Sequence, residues 1–207
     1  MTRTLILPGL HNSDSDHWQS RWEARDESLR RVIQDDWETP HCGDWVARLD
    51  QALALMGPDA VVVAHSAGCA LVAHWAIGHP LQRIRGALLV APSDPEALSF
   101  PFGPTGFAPM PLRRLPFRSV VVASSNDPYL TLSRAKTFAT AWGSDFVMIG
   151  EAGHIGSASR LGDWPEGFSL LRSLHENSRR RFPWKTGEVA GCSQELAEAR
   201  KRTNAPA

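Results

Sequence analysis

The chain is poor in cysteine and has no excess of charge of either sign. Its three cysteines, Cys42, Cys69 and Cys192, are scattered, odd in number and never spaced as C-x-x-C. This pattern argues against both a disulfide framework and a zinc site. Lysine and arginine together number 22, as do aspartate and glutamate, so the formal net charge is zero. A nucleic-acid-binding surface normally carries a basic excess, and we therefore expect no nucleic-acid partner.

Long apolar runs and targeting signals are also missing. No segment approaches the about 20 apolar residues that a membrane-spanning helix requires, and the N-terminus shows no signal-peptide pattern. We therefore expect a cytoplasmic protein without a membrane partner. There is no glycine-rich phosphate loop, and we predict neither a cofactor nor a bound metal.

The chain does contain enough apolar residues for one globular domain. Of its 207 residues, 43% are hydrophobic, which suits a single core of this size. Strand-like and helix-like segments alternate, and this alternation predicts parallel strands joined by right-handed crossovers. The predicted strands are 3–7, 29–33, the valine-rich run before residue 66, 86–91, 118–125 and 144–149, with helices over 15–27, 42–56 and after residue 66.

We place the end of this domain at residue 177. Residues 178–207 are a charged extension with three consecutive arginines, 179–181, and a helix-like stretch over 194–202. A solvated extension is the default interpretation, and a docking arm is the alternative. For the chain as a whole we expect a monomer, with a dimer as the alternative.

The most informative segment is the valine-rich run over 59–65, which ends at Ser66 and then becomes helical. A strand followed by a tight turn and a helix is how a nucleophilic serine is presented, with small residues on both sides of it. The pattern is G-x-S-x-G, except that Ala64 replaces the first glycine. Alone, the match is equally compatible with a buried strand, a turn and a serine that caps a helix.

Two further residues at strand ends support the nucleophile interpretation. Asp127 directly follows the strand-like run 118–125, and His154 lies on a glycine-flanked loop after the run 144–149. The order Ser66, Asp127, His154 is that of α/β-hydrolase triads, with His154 as the base and Asp127 as the acid. His65 adjoins the serine but cannot serve as its base, because neighbouring side chains diverge at a sharp turn.

Asp94 is the competing candidate for the acid. It follows the strand-like run 86–91, one strand earlier than Asp127, and some hydrolases place their acid there. We favour Asp127 because the turn over 125–128 leaves its strand immediately.

These segments resemble the retinoblastoma-binding-protein-9 / YdeN-type family of small serine hydrolases. The resemblance implies a compact three-layer α/β-hydrolase fold with about six parallel strands in the order 2-1-3-4-5-6 and helices on both faces. It also implies a triad of Ser66, Asp127 and His154 and an esterase-like activity on a small-molecule acyl substrate. The matching segments, which occur in family order, are 5–10, 17–23, 64–69, 89–94, 124–129, 153–156 and 162–167.

In this fold the oxyanion hole is formed by backbone N–H groups after the first strand and after the nucleophile. The candidates are the N–H groups of Leu10 and Ala67. The reaction would be acyl transfer to water, with amide, peptide or thioester cleavage as alternatives on the same triad. A protein-interaction module with an idle triad is the alternative from another class.

Candidate pocket residues lie around these loops. They are His11, Trp18, His65, Phe102 and Phe107, with a place in the core as the alternative for Trp18. The two phenylalanines belong to the proline-rich segment 97–116, which cannot continue a helix or a central strand. We expect an ordered loop there, either a wall of the pocket or a surface connection whose aromatic residues pack on the core.

The first loop is also rich in aspartate and histidine. Asp14, Asp16 and His17 could suggest a metal site, but an Asx turn and a helix N-cap explain the same residues. We favour the turn and the cap because no hydrolytic metal motif accompanies them.

Overall fold

A computed structural model describes residues 3–79 and 84–176. Its centre is a sheet of six parallel strands in the order β2-β1-β3-β4-β5-β6, the order that the resemblance implies. The strands are β1 (Thr4–Leu7), β2 (Leu29–Arg31), β3 (Val61–His65), β4 (Gly86–Val90), β5 (Arg118–Ala123) and β6 (Asp145–Met148).

Helices of the described residues cover both faces of the sheet. One face packs against α1 (Trp18–Arg25) and α5 (Pro165–His175). The other packs against α2 (Cys42–Met56), α3 (Ala67–Gly78) and α4 (Leu132–Trp142). The result is the predicted three-layer architecture.

The two layers explain the valine-rich sequence of β3. Val61 and Val63 pack towards α1 and α5, whereas Val62 and Ala64 pack towards the opposite layer. A central parallel strand is buried on both faces and therefore needs consecutive apolar residues. Each fully buried valine contributes about 1.5–3 kcal/mol through the hydrophobic effect.

Helix α2 has the predicted bounds, whereas α1 and β2 are shorter than predicted. Helix α1 begins at Trp18 because the side chain of His17 accepts the N–H of Gln19 and caps the helix. Strand β2 ends at Arg31, and Ile33, which we placed in the strand, is exposed.

The proline-rich segment 97–116 is a connection that packs against another segment of the same chain. Thr105 forms an isolated parallel bridge with His41. Phe107 is buried in the core, whereas Phe102 is fully exposed. The interpretation as a surface connection whose aromatic residues pack on the core therefore holds for Phe107 and not for Phe102.

The carboxyl ends of the strands bring three loops together. Ser66 follows β3, Asp127 lies beyond β5 and His154 lies beyond β6. Ligand sites of open parallel sheets lie at this edge. The proposed extension over 178–207 is outside the described residues.

In the two described ranges no helix combines the length and the apolar character needed to cross a membrane.

Candidate active site

Ser66 occupies a sharp turn between β3 and α3. Its backbone has φ 56° and ψ −125°, a conformation that non-glycine residues rarely adopt and that is concentrated at functional sites. The Ser66 N–H donates to the carbonyl of Val90 in β4, and the Ser66 carbonyl accepts the N–H of Cys69 in α3. Hydrogen bonds to a strand and to a helix therefore hold the strained turn.

Two glycines let the loop after β1 approach this turn. A Cβ atom on Gly68 would lie 2.5 Å from the carbonyl oxygen of Leu7 and 2.8 Å from that of Pro8. A Cβ atom on Gly9 would lie 2.6 Å from the Cβ of Ser66. Only glycine permits such a close backbone approach, which gives the last glycine of the motif its physical reason.

Ser66, His154 and Asp127 form a continuous chain of hydrogen bonds. Nε2 of His154 lies 2.8 Å from Ser66 Oγ, and its Nδ1 lies 2.9 Å and 3.0 Å from the two carboxylate oxygens of Asp127. The Asp127 side chain is only 2% exposed. Because a carboxylate only accepts, Nδ1 carries the proton and Nε2 of the neutral ring accepts the hydroxyl of Ser66. The structure thus brings the three candidate triad residues into contact.

Polar side chains tie the loop after β5 to the loop after β6. Oδ1 of Asn126 accepts the N–H of Gly153 at 2.7 Å, and Oγ of Ser124 accepts the N–H of Ala152 at 2.9 Å. The hydroxyl of Ser124 also lies 2.8 Å from Asn126 Oδ1. These contacts fix the main chain immediately before His154.

Asp94, the competing acid, has another partner. Its Oδ2 accepts the Nε–H of Arg134 in α4 at 2.8 Å, and Arg134 also pairs with Glu96. The hydrogen bond from Arg134 to Asp94 is the main reason why the pKa of Arg134 is raised. The carboxylate that contacts His154 is that of Asp127.

Two buried side chains hold the main chain at His154 and just after it. His65 Nε2–H donates to the carbonyl of His154, and Trp18 Nε1–H donates to the carbonyl of Ile155, both at 2.8 Å. Ile155 has φ 51°, a conformation that costs a β-branched residue about 1–3 kcal/mol. Hydrogen bonds on both carbonyls stabilise this strained segment.

A third histidine lies beyond His65. The ring centroids of His17 and His65 are 4.7 Å apart, and those of His65 and His154 are 5.0 Å apart. Burial is the main cause that lowers the pKa of His17 to about 4 and that of His65 well below its usual value. Both rings are therefore neutral at pH 7 and add no positive charge beside His154.

The two candidate oxyanion donors lie on the elements that meet at Ser66. Ala67 is the first residue of α3, and such a residue has no acceptor within its own helix. Leu10 follows Gly9, which packs directly on Ser66. Among the described residues neither N–H donates a hydrogen bond. Both are free to receive an oxyanion, and their part in catalysis stays a prediction.

The pocket predictions for Trp18 and Phe107 are wrong. Trp18 and Phe107 are each 1% exposed and lie in the core, where Trp18 packs on Trp164 and Phe107 on Trp45. Large apolar rings gain most from full burial, and tertiary contacts supply it here. Phe102 is fully exposed, and its assignment to the pocket stays a prediction.

The other two pocket candidates differ in burial, and the assignment of His11 to the pocket stays a prediction. His65 is buried beneath His154, and the exposed His11 pairs with Glu38, its Nδ1 2.7 Å from Oε2. Tyr129, which we did not single out, has its ring centroid 4.7 Å from that of His154 and is partly exposed. Its position two residues after Asp127 was the available signal.

Sequence reasoning also missed Ser93. Its Oγ lies 2.7 Å from the Oγ of Ser66. Ser93 follows β4, the neighbour of β3 in the sheet. A polar residue at the carboxyl end of a neighbouring strand was the only sequence signal for this contact.

The aspartates and histidine of the first loop form a turn and a cap. Asp14 Oδ1 accepts the N–H groups of Asp16 and His17 and the hydroxyl of Ser157, and the Ser157 bond is the main cause that lowers the pKa of Asp14. Nδ1 of His17 accepts the N–H of Gln19. In the described ranges no group of three or more metal-ligating side chains could hold an ion.

A cavity of about 730 Å³ lies elsewhere, beside β1, β2 and the end of α2. Its lining includes Arg3, Leu5, Arg30, Leu55 and Met56. None of the three triad candidates borders it, so it is not the substrate pocket of this site.

A family model described as serine hydrolase matches residues 4–173. The chain belongs to the serine hydrolase family. The match spans all six strands and the three triad candidates. It shows that the protein is a hydrolase. No curated protein sequence matches the chain significantly.

Solved structures agree with this family and fold. A protein from Pectobacterium atrosepticum described as a YdeN-like hydrolase is 30% identical, with 84% of this chain and 91% of that chain covered and a TM-score of 0.74. The ydeN gene product of B. subtilis is 17% identical, with 85% and 100% covered and a TM-score of 0.68. The carboxylesterase CesB of Bacillus subtilis shares the fold at 12% identity, with 86% and 85% covered and a TM-score of 0.60. The predicted YdeN-type family and α/β-hydrolase fold are confirmed.

Proposed function

We propose that this serine hydrolase cleaves small acyl esters, as a carboxylesterase does, through an acyl-enzyme on Ser66. The observation that carries the proposal is the unbroken hydrogen-bond chain from Asp127 through His154 to Ser66, with contacts of 2.8–3.0 Å. It provides a nucleophile, a base and a group that orients the base, all within reach of one another.

In the acylation step the Ser66 oxygen attacks the acyl carbon while its proton moves to Nε2 of His154. Asp127 holds the other ring nitrogen and stabilises the imidazolium that forms. The tetrahedral intermediate then collapses, and His154 gives the proton to the departing alkoxide. The acyl group remains bonded to Ser66.

Deacylation uses the same groups with water as the nucleophile. The water oxygen bonds to the acyl carbon while a water proton moves to His154. The carbon–Oγ bond then breaks, Ser66 takes the proton back from His154, and the carboxylic acid leaves. In both steps the N–H groups of Leu10 and Ala67 would hold the oxyanion. Each donor would lower the activation free energy by about 2.7–4 kcal/mol. No cofactor takes part.

Esters are the proposed substrates because an alkoxide leaves the tetrahedral intermediate more readily than an amine does. Amides, peptides and thioesters form the same acyl-enzyme, so they are the alternatives on this site. A panel of p-nitrophenyl esters of increasing acyl length, aminoacyl amides and acyl thioesters ranks these classes by kcat/KM. We expect the short-chain esters to rank first.

The direct test is intact-mass labelling with a fluorophosphonate. The wild-type protein should gain one phosphonyl group, and Ser66→Ala should gain none while keeping its far-UV circular dichroism spectrum. Ser133→Ala, at an exposed position of α4, is the control and should label like the wild type. A wild-type protein that takes no label and cleaves no member of the panel would contradict the proposal and favour an interaction module.

A further inference from the structure

We propose that Ser93 is a catalytic residue whose hydroxyl donates a hydrogen bond to the Oγ atom of Ser66 throughout the reaction. This inference rests on the proposed role of Ser66 as nucleophile and adds a fourth side chain to the three triad candidates. The contact that suggests it is the 2.7 Å distance between the two hydroxyl oxygens.

The direction of this hydrogen bond follows from the Asp127 carboxylate. Because that carboxylate only accepts, Nδ1 of His154 carries the ring proton, and Nε2 accepts the single proton of the Ser66 hydroxyl. No second proton is left on Ser66 to donate to Ser93. The proton between the two serine oxygens must therefore belong to Ser93, and Ser66 Oγ accepts it.

The surroundings of Ser93 keep its hydroxyl in this position. Ser93 is 6% exposed, and its N–H donates to the carbonyl of Ser66. Within the described part of the chain its Oγ has no partner other than Ser66 Oγ. Turning away would leave a buried hydroxyl unpaired, which costs free energy. The next residue, Asp94, is fixed by its ion pair with Arg134, which gives that carboxylate a structural role.

The donated hydrogen bond favours the charge that develops on the nucleophile. During acylation the Ser66 proton moves to His154 and a bond forms between Oγ and the acyl carbon. Partial negative charge develops on Oγ while the proton leaves and before the new bond is complete. During deacylation that bond breaks, Oγ takes the electron pair and accepts the proton back from His154. Hydrogen bonds to a charged oxygen are stronger than those to a neutral one. Ser93 keeps its own proton in both steps.

The protein offers a matched control for the loss of a buried serine pair. Ser119 and Ser144 lie at the amino ends of β5 and β6, far along the strands from Ser66, and their Oγ atoms are 2.6 Å apart. Ser119→Ala removes a serine–serine hydrogen bond of nearly the same length without touching the site.

The experiment compares wild type, Ser93→Ala, Ser93→Thr and Ser119→Ala as full-length chains. The measurements are the second-order rate constant of inactivation by a fluorophosphonate, kcat and KM for p-nitrophenyl acetate, and the melting temperature. We expect Ser93→Ala to lower the inactivation rate constant and kcat about 10- to 100-fold with KM little changed. Ser93→Thr should recover most of the loss because it retains the hydroxyl, and Ser119→Ala should react like the wild type.

Two results would overturn the role of Ser93. One is a Ser93→Ala protein that reacts at the wild-type rate. The other is an equal loss in Ser93→Ala and Ser93→Thr at unchanged melting temperature, which would assign the effect to the space at this position and not to the hydroxyl. In both cases the wild type still reacts at Ser66, so the proposed function stands. A wild type that does not react contradicts the proposed function itself.

Discussion

His65, the residue directly before Ser66, donates a hydrogen bond of 2.8 Å from Nε2 to the backbone carbonyl of His154. The turn that presents the candidate nucleophile is thereby joined to the loop that presents the candidate base. Since a carbonyl only accepts, the ring of His65 carries its proton on Nε2. Burial lowers the pKa of His65, so the ring stays neutral and the link persists across the neutral pH range.

We predict that His65→Leu lowers kcat about 10- to 100-fold and changes KM little, because it releases the main chain at His154 and misplaces the base. His65→Gln, whose side-chain amide can reach the same carbonyl, should retain more activity than His65→Leu. Steady-state kinetics on folded protein at matched concentration is the measurement. A fall in melting temperature with unchanged kcat would mean that His65 serves stability alone.

An aspartate-to-asparagine substitution should have very different effects on kcat at the two candidate acids, Asp127 and Asp94. Asp127→Asn should leave the His154 ring in the wrong tautomer and lower kcat by as much as about 10⁴-fold, the size of the effect in serine proteases. Because the acid acts on the charge that forms during the reaction, KM should change little. Asp94→Asn should cost far less, since Asp94 pairs with Arg134. Both constants are measured with one short-chain ester, and a crippled Asp94→Asn beside an active Asp127→Asn would move the acid to Asp94.

Local patterns were sufficient to predict the alternating strands and helices of the fold. The consecutive apolar residues of β3 are what a strand buried on both faces requires, and the spacing of Trp45, Leu49 and Leu53 predicted α2 with its observed bounds. The strand order came from the resemblance, because periodicity does not determine which strands pair. The candidate triad could be named because each member follows its own strand.

Contacts between distant segments could not be predicted in the same way. Phe102 and Phe107 are alike in residue type and lie in one loop, yet one is exposed and the other is buried against Trp45. Ser93 contacts Ser66 because the pairing of β3 with β4 brings the turns after these two strands together. Such outcomes depend on tertiary packing, which the local sequence does not encode.

Stability should depend on pH through the buried His17. Its pKa is about 4 in the folded protein, against 6.5 for an unperturbed histidine, mainly because of burial. The unfolded chain therefore binds more protons between these values, so His17 contributes stability that is complete above pH 6.5 and is lost as the pH falls towards 4. The difference between the two pKa values changes the free energy of unfolding by about 3 kcal/mol in total.

We predict that His17→Asn flattens the fall in stability between pH 6.5 and 4, because asparagine retains the N-cap but does not titrate. Some slope should remain, since burial also lowers the pKa of His65. The free energy of unfolding in urea is measured at several pH values. The control is His41→Asn, which exchanges an exposed histidine that also caps a helix. If His17→Asn and the wild type lose stability in parallel over this range, burial of His17 is not the cause.

The close approach of α3 to the loop after β1 can be tested with two alanines on the same helix. A Cβ on Gly68 would lie 2.5 Å from the Leu7 carbonyl oxygen, whereas a Cβ on Gly78, at the other end of α3, would meet no atom of the described residues within 4 Å. Gly68→Ala should therefore push the helix from the loop, at a cost of about 1–3 kcal/mol. It should also separate the N–H groups of Leu10 and Ala67 and lower kcat in the protein that remains folded. Gly78→Ala should leave kcat unchanged and stability equal or slightly higher, because alanine favours a helix more than glycine does. Urea unfolding and ester hydrolysis of both variants give the comparison, and equal behaviour of the two would show that the contact at Gly68 does not constrain the site.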